Sequence, residues 1–140
     1  MLLHAVPGVV ARGREAAEIL AASGFAGGFA VHVGCGDGGL LEALARDTPH
    51  VDGIAGGARV AAVQVHGLDT SATAVAAARA RLVAAGLNGP ASADHFDGMH
   101  LPYVDGLVNL LVVEAAHADR IAAEEIDRVL CPRGVALIRG

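Results

Sequence analysis

The residues best suited to chemistry are a run of glycines and two well-separated acids. The stretch Val31-His32-Val33-Gly34-Cys35-Gly36-Asp37-Gly38-Gly39 concentrates glycine just after a short apolar run. Glycines there let the chain turn sharply and let a ligand reach main-chain N–H groups with no Cβ in the way. A helix starting behind the turn would favour negative charge or lone pairs at its N-terminus. A plain strand-to-helix turn would use the same residues, so the loop by itself leaves both readings open. Asp69 adds a second feature: it closes the apolar run Val65-His66-Gly67-Leu68 ahead of Thr70 and Ser71. A carboxylate at that place can cap a helix or accept both hydroxyls of a ribose. Glycine loop and acid together favour a nucleoside-containing cofactor. Gly34, Gly36 and Gly39 satisfy GxGxxG, so a nicotinamide dinucleotide, and with it an NAD-dependent oxidoreductase, is one alternative.

The elements that must position these residues alternate along the chain. Residues 7–23 read as a helix, with Pro7 in the first turn and Ser23-Gly24 as a stop. Residues 29–33 form a short strand, and Leu40, Leu41 and Leu44 share one face of a helix over 38–46. Residues 47–59, with Pro49, Gly53, Gly56 and Gly57, read as a loop. A strand over 60–68 leads to Ser71 as N-cap, a helix over 73–85 and Gly86 as its stop. Weaker strand character follows at 90–96. Residues 107–113 are almost continuously Leu and Val, which suits a strand covered on both faces. A helix over 119–130, a turn at Cys131-Pro132-Arg133-Gly134 and a last strand at 135–139 complete the order. The expected fold is α/β, a doubly wound, Rossmann-like and mainly parallel sheet of about five strands with helices on both faces, in one domain spanning 1–140.

Composition narrows the function classes. The chain has 140 residues, 54% of them hydrophobic, enough to bury a real core, and only 3% aromatic. Its ten basic residues are all arginine, against fifteen acidic ones, for a net charge of −5. Nothing supplies the basic face that phosphate-tracking nucleic-acid binders use. The most apolar stretch, 107–118, is broken by Asn109 and Glu114 and falls short of the roughly 18 residues of a membrane span. Met1 to Val10 lacks a basic leader and carries Pro7-Gly8 where a signal peptide would be apolar. A cytoplasmic chain without membrane partners is expected. Cys35 and Cys131 form no CxxC pattern and no disulfide framework.

Further motifs tie these features to a family. Asp97-Gly98 follows the third strand, Leu101-Pro102-Tyr103-x-Asp105 leads into the fourth, and Leu130-Cys131-Pro132-Arg133-Gly134 precedes the fifth. With the glycine loop and Asp69, the set resembles the class I S-adenosylmethionine-dependent methyltransferases over about residues 15–140. The resemblance implies S-adenosyl-L-methionine as cofactor and transfer of its methyl group to an acceptor the sequence does not identify. It implies that Gly34, Cys35 and Gly36 pass under the methionine and ribose, and that Asp69 holds the ribose diol. Thr70 would flank the adenine, Asp97 would bond its amino group, and the Gly98 backbone would lie beside it. Glu114, ending strand four, would face the methyl acceptor. The family usually has an acid two residues before the first loop glycine, where this chain has His32. The fourth strand often opens Phe-Asp, here Val108-Asn109, and the family sheet normally ends in a C-terminal β-hairpin, which this chain lacks. These departures favour an alternative, a non-catalytic methyltransferase-like interaction domain. A narrower resemblance links Val65 to Thr70 and Asp97 to Tyr103 with a methyltransferase-like segment ahead of pyrroloquinoline-quinone-type β-propellers in large bacterial proteins. It implies that the chain is the amino-terminal part of something longer.

The remaining candidates are individual side chains. A weakly acidic acceptor needs a base within hydrogen-bond reach, and Glu114 and His117 are the candidates near the fourth strand. The cluster Asp94-His95-x-Asp97-x-x-His100 has ligand chemistry but no standard metal spacing, so no metal is expected. Cys35 reads as a small residue that fits the loop, although a helix N-terminus behind it would lower its pKa. Residues 135–139 would be an unpaired edge, so a dimer, or pairing with a C-terminal region, is expected there. Asp69→Ala is expected to weaken cofactor binding and leave folding intact.

Overall fold

A computed structural model describes Leu2–Leu3 and residues 12–48 and 63–140. The elements run β1 (Leu2–Leu3), α1 (Arg12–Ser23), β2 (Gly28–Val33), α2 (Gly39–Asp47), β3 (Val63–Asp69), α3 (Ala72–Ala84), β4 (Ala91–His95), β5 (Val108–Glu114), α4 (Ala115–Ala118), α5 (Ala123–Val129) and β6 (Leu130–Arg139). The strands make one parallel sheet in the order β1-β6-β5-β2-β3-β4. This is the expected doubly wound α/β architecture, with the two-residue β1 added at one edge. The expected loop over 47–59 begins later than expected, since Asp47 still belongs to α2 and Thr48 caps it; the rest of that loop and the first residues of the expected helix and second strand lie outside the described residues.

Burial explains the order. Val31, Val33, Leu110, Leu111, Val112 and Val113 are all fully buried, because β2 and β5 lie at the centre with layers above and below. Leu110 and Val112 face the side where Ile19 of α1, Leu40, Leu41 and Leu44 of α2, and Leu82 of α3 pack. Leu111 and Val113 face the other side, with Phe96, Leu101, Ile121 and Val129. Each such side chain contributes roughly 1.5–3 kcal/mol on leaving water, so the alternation fixes the strand register. Ser71 caps α3 by accepting from the Ala74 N–H at 3.2 Å. The same helix ends as expected near Gly86, where the Gly86 and Leu87 N–H groups return to the carbonyls of Val83 and Leu82.

Three expectations change. The helix expected over 119–130 is confined to α5 (Ala123–Val129) and preceded by the unexpected α4, because Ile121, only 5% exposed, plugs the lower core and pulls the chain out of helical geometry between them. The turn at Cys131–Gly134 is an excursion within β6: Leu130 pairs with Val108, and pairing resumes at Val135 with Leu110. Arg133 takes a left-handed φ of 69° in that excursion. The edge at 135–139 is not wholly unpaired either, since β1 adds in parallel at Ile138 and Arg139. Among the described residues, no helix is long and apolar enough to cross a membrane.

Candidate functional site

In an open parallel sheet the natural crevice lies beyond the carboxyl ends of the strands, where the strand order reverses. Here that point is between β2 and β5, and the glycine loop leaves β2 there. The Gly34 and Cys35 N–H groups both donate to the Leu68 carbonyl, at 2.7 and 3.1 Å, which lays the loop across the end of β3. Gly34 has φ +86°, and a Cβ there would come within 2.7 Å of the His117 ring and 3.0 Å of the Glu114 side chain. Only glycine admits that conformation and that close approach. The space beside Gly36 is open.

Asp69 fixes the loop from below. It is 7% exposed, its Oδ2 accepts from the Gly36 N–H at 3.0 Å, and its Oδ1 accepts from the Ser71 N–H at 2.9 Å. Asp69 is therefore part of the loop's construction, so truncating it removes two loop hydrogen bonds along with any ligand contact. Its two oxygens still have lone pairs to offer a ligand. Cys35 is a small residue fitted into the loop, and its thiol is not lowered by the helix start behind it. Its side chain is buried against Gly67 and Leu41, and burial, aided by the Asp69 charge, pushes the thiol up to about 12. The residue presents its backbone, not a reactive sulfur, to the crevice.

The rim continues past β4. Thr70 lies against Gly98, where a Cβ would sit 3.1 Å from the threonine methyl group. The Thr70 carbonyl accepts from His95 Nε2 at 3.0 Å. Asp97 folds its own loop: Oδ1 accepts from the Met99 and His100 N–H groups, and Oδ2 from His100 Nδ1 at 2.6 Å. Those donors, the His100 backbone first, hold the Asp97 carboxyl far below the usual range, while the carboxylate raises His100. The acid–histidine cluster at 94–100 thus disperses into separate pairs. Asp94 accepts instead from Arg79 at 2.7 Å and from His66 Nε2 at 2.7 Å. Those two contacts, His66 foremost, hold its carboxyl low. His66 in turn accepts from the Tyr103 hydroxyl at 2.5 Å. Among the described residues, no three potential metal ligands converge.

Two arrangements were not visible from sequence. First, Arg128 of α5 fastens the Leu-Pro-Tyr segment, donating to the carbonyls of Leu101 and Tyr103 and to Asp105. Glu125 accepts from the Leu101 N–H at 2.7 Å and pairs with Arg128, which holds its carboxyl at about 2. Second, His32, Glu114 and Arg139 meet on the α1 side of the sheet. His32 Nε2 donates to Glu114 Oε2 at 2.9 Å, and Arg139 donates to the same oxygen at 3.2 Å. Arg139 also pairs with Glu15 of α1 at 3.3 Å. Burial alone would raise the Glu114 carboxyl, but His32 and Arg139 outweigh it and hold it below its usual value. Strand register carried a signal here, since Glu114 and Arg139 are direct partners. His117, half-buried, lies between Gly34 and the Phe96 ring.

Residues 34–36, Asp69, Thr70, Asp97, Gly98, Glu114 and His117 therefore all sit at or just beyond the carboxyl ends of β2, β3, β4 and β5, along the rim of the sheet. Solved structures share this frame. A protein described as an S-adenosyl-L-methionine-dependent methyltransferase from Methanococcus maripaludis superposes with a TM-score of 0.72 at 22% identity, over 92% of this chain and 55% of its own. The [4+2]-cyclase SpnF gives 0.70 at 27% identity, over 89% of this chain and 43% of its own. A geranyl diphosphate methyltransferase, solved in complex with S-adenosylmethionine, gives 0.67 at 17% identity, over 90% and 48%. The present chain spans about half the length of these structures. No curated protein matches its sequence. The family model described as "Methyltransferase domain" matches residues 31–138, and by that match the chain belongs to the methyltransferase domain family.

Proposed function

We propose that this domain binds S-adenosylmethionine along the rim and directs its methyl group to an acceptor beyond Glu114 and His117. One observation carries the reading: the Gly34–Gly36 turn is tied to the Asp69 carboxylate on one side and abuts Glu114 and His117 on the other. The donor set fits the cofactor. Asp69 offers acceptor lone pairs for ribose hydroxyls, and Asp97, ionised well into acid, offers one for the adenine amino group. The main chain of Gly34, Cys35 and Gly36 would run beneath the methionine and ribose, with Thr70 and the Gly98 backbone flanking the adenine. When bound, the sulfonium supplies an electrophilic methyl group.

The protein's own work is alignment and proton handling. Holding two reactants in line replaces a bimolecular encounter and supplies roughly 7–11 kcal/mol in well-oriented cases. His117 is the better base for an acceptor proton, because Glu114 is stabilised as a carboxylate by His32 and Arg139 and has little affinity for one.

The test is calorimetric titration with S-adenosylmethionine and S-adenosylhomocysteine, with NAD as control. Micromolar binding of the first two alone supports the reading. Binding of NAD alone would favour an oxidoreductase. A folded sample that binds none of them would favour a methyltransferase-like interaction domain.

A further inference from the structure

We propose that Glu114 is the anion that receives the ammonium group of the cofactor's amino-acid end, with His32 and Arg139 as its positioning residues. The inference rests on the binding reading above and names a contact within it. An amino-acid-bearing nucleoside carries a primary ammonium, which needs a carboxylate or several carbonyls when it leaves water. On β2 the side chain pointing to the α1 side beneath the loop is His32, which is 3% exposed and cannot act as an anion. Glu114 brings a carboxylate to the same place from the neighbouring strand.

The geometry leaves that carboxylate half committed. Both of its protein donors, His32 Nε2 and Arg139 Nη1, converge on Oε2, and Oε1 has no hydrogen-bond partner among the described residues. The side chain keeps 29% of its surface exposed, and its Cβ and Cγ lie against Gly34, so the group borders the loop that would carry the ligand. Arg139 is itself held by Glu15, which keeps the guanidinium on the Oε2 side. A carboxylate fixed on one oxygen and open on the other is preorganised for one further cation.

The experiment compares S-adenosylhomocysteine with its deaminated analogue, which keeps the nucleoside, thioether and carboxylate, by calorimetry on wild type and Glu114→Gln. Wild type should prefer the amine-bearing ligand at least tenfold. E114Q should bring the ratio close to one by weakening the amine-bearing ligand more than the deaminated analogue. A ratio near one in wild type overturns the proposal without any variant, which covers the case in which E114Q does not fold. An E114Q protein that retains the wild-type ratio, or weakens both ligands equally, also overturns it. Failure of wild type to bind either ligand would instead refute the cofactor reading itself.

Discussion

Replacing Asp69 by alanine tests whether one carboxylate both builds the loop and serves the ligand. The variant removes the acceptor for the Gly36 N–H at 3.0 Å and for the Ser71 N–H at 2.9 Å. A hydrogen bond to a charged group is worth roughly 1.5–3 kcal/mol. Ser71 is exposed, so water takes over its N–H at little cost, whereas Gly36 is half-buried and loses most of its bond. Relief from burying a carboxylate that is 7% exposed offsets part of the loss, leaving about 2 kcal/mol. For a chain of this size that lowers Tm by roughly 8 °C. Below the transition the variant should still fold, and its affinity for S-adenosylhomocysteine should fall at least tenfold, the equivalent of about 1.4 kcal/mol. Ser71→Ala serves as control. It removes the cap on Ala74, costing about 1 kcal/mol, and should leave affinity unchanged. The assays are thermal unfolding by circular dichroism and calorimetric titration. A D69A protein with Tm within about 2 °C of wild type would refute the loop-building argument, and unchanged affinity would refute the ribose assignment.

Two further outcomes follow from the buried thiol and the Arg128 clamp. At mildly alkaline pH an alkylating reagent should modify Cys131 in the native protein and reach Cys35 only on unfolding, because burial holds that thiol at about 12; mass spectrometry showing Cys35 labelled as fast as in the unfolded chain would contradict this. Glu125, lowered from 4.5 to about 2 mainly by Arg128, contributes stability that is fully present above its unfolded value and is lost as pH falls through that interval. Glu125→Gln should therefore flatten the acid limb of the stability curve between those values, and an unchanged acid limb would refute the clamp.

Local patterns were legible in the sequence and distant pairings were not. The glycine loop, Asp69, the Ser71 cap and the Gly86 stop are each decided by a few neighbouring residues, so their types announce them. The Leu-Val run at β5 likewise states that both of its faces are covered. The late start of the helix expected over 119–130 was hidden because Ile121 fits a helical stripe as readily as a core plug. The choice depends on what the lower layer needs. Cys35 reads in the sequence as a small residue that fits its loop, but only the fold shows that Gly67 on the next strand makes room for its sulfur in the core. The His32–Glu114–Arg139 set joins positions that only strand order brings together, and Arg128 finds Leu101 and Tyr103 only because α5 lies beneath that segment.

The junction of β2 with β5 has a kinetic meaning. His32 and Glu114 are 82 positions apart, whereas the register partners His32 and Gly67 of β2 and β3 are 35 apart, and Gly67 and Ala93 of β3 and β4 are 26 apart. Closing so long a loop costs entropy before any contact repays it, so the β5–β6 half should dock after the β2–β4 half has taken shape. The rim lies across this seam, with Asp69 and Asp97 on one side and Glu114 and His117 on the other. A molecule spanning it works as a clasp: by holding only the docked form it slows separation of the halves far more than it hastens their meeting.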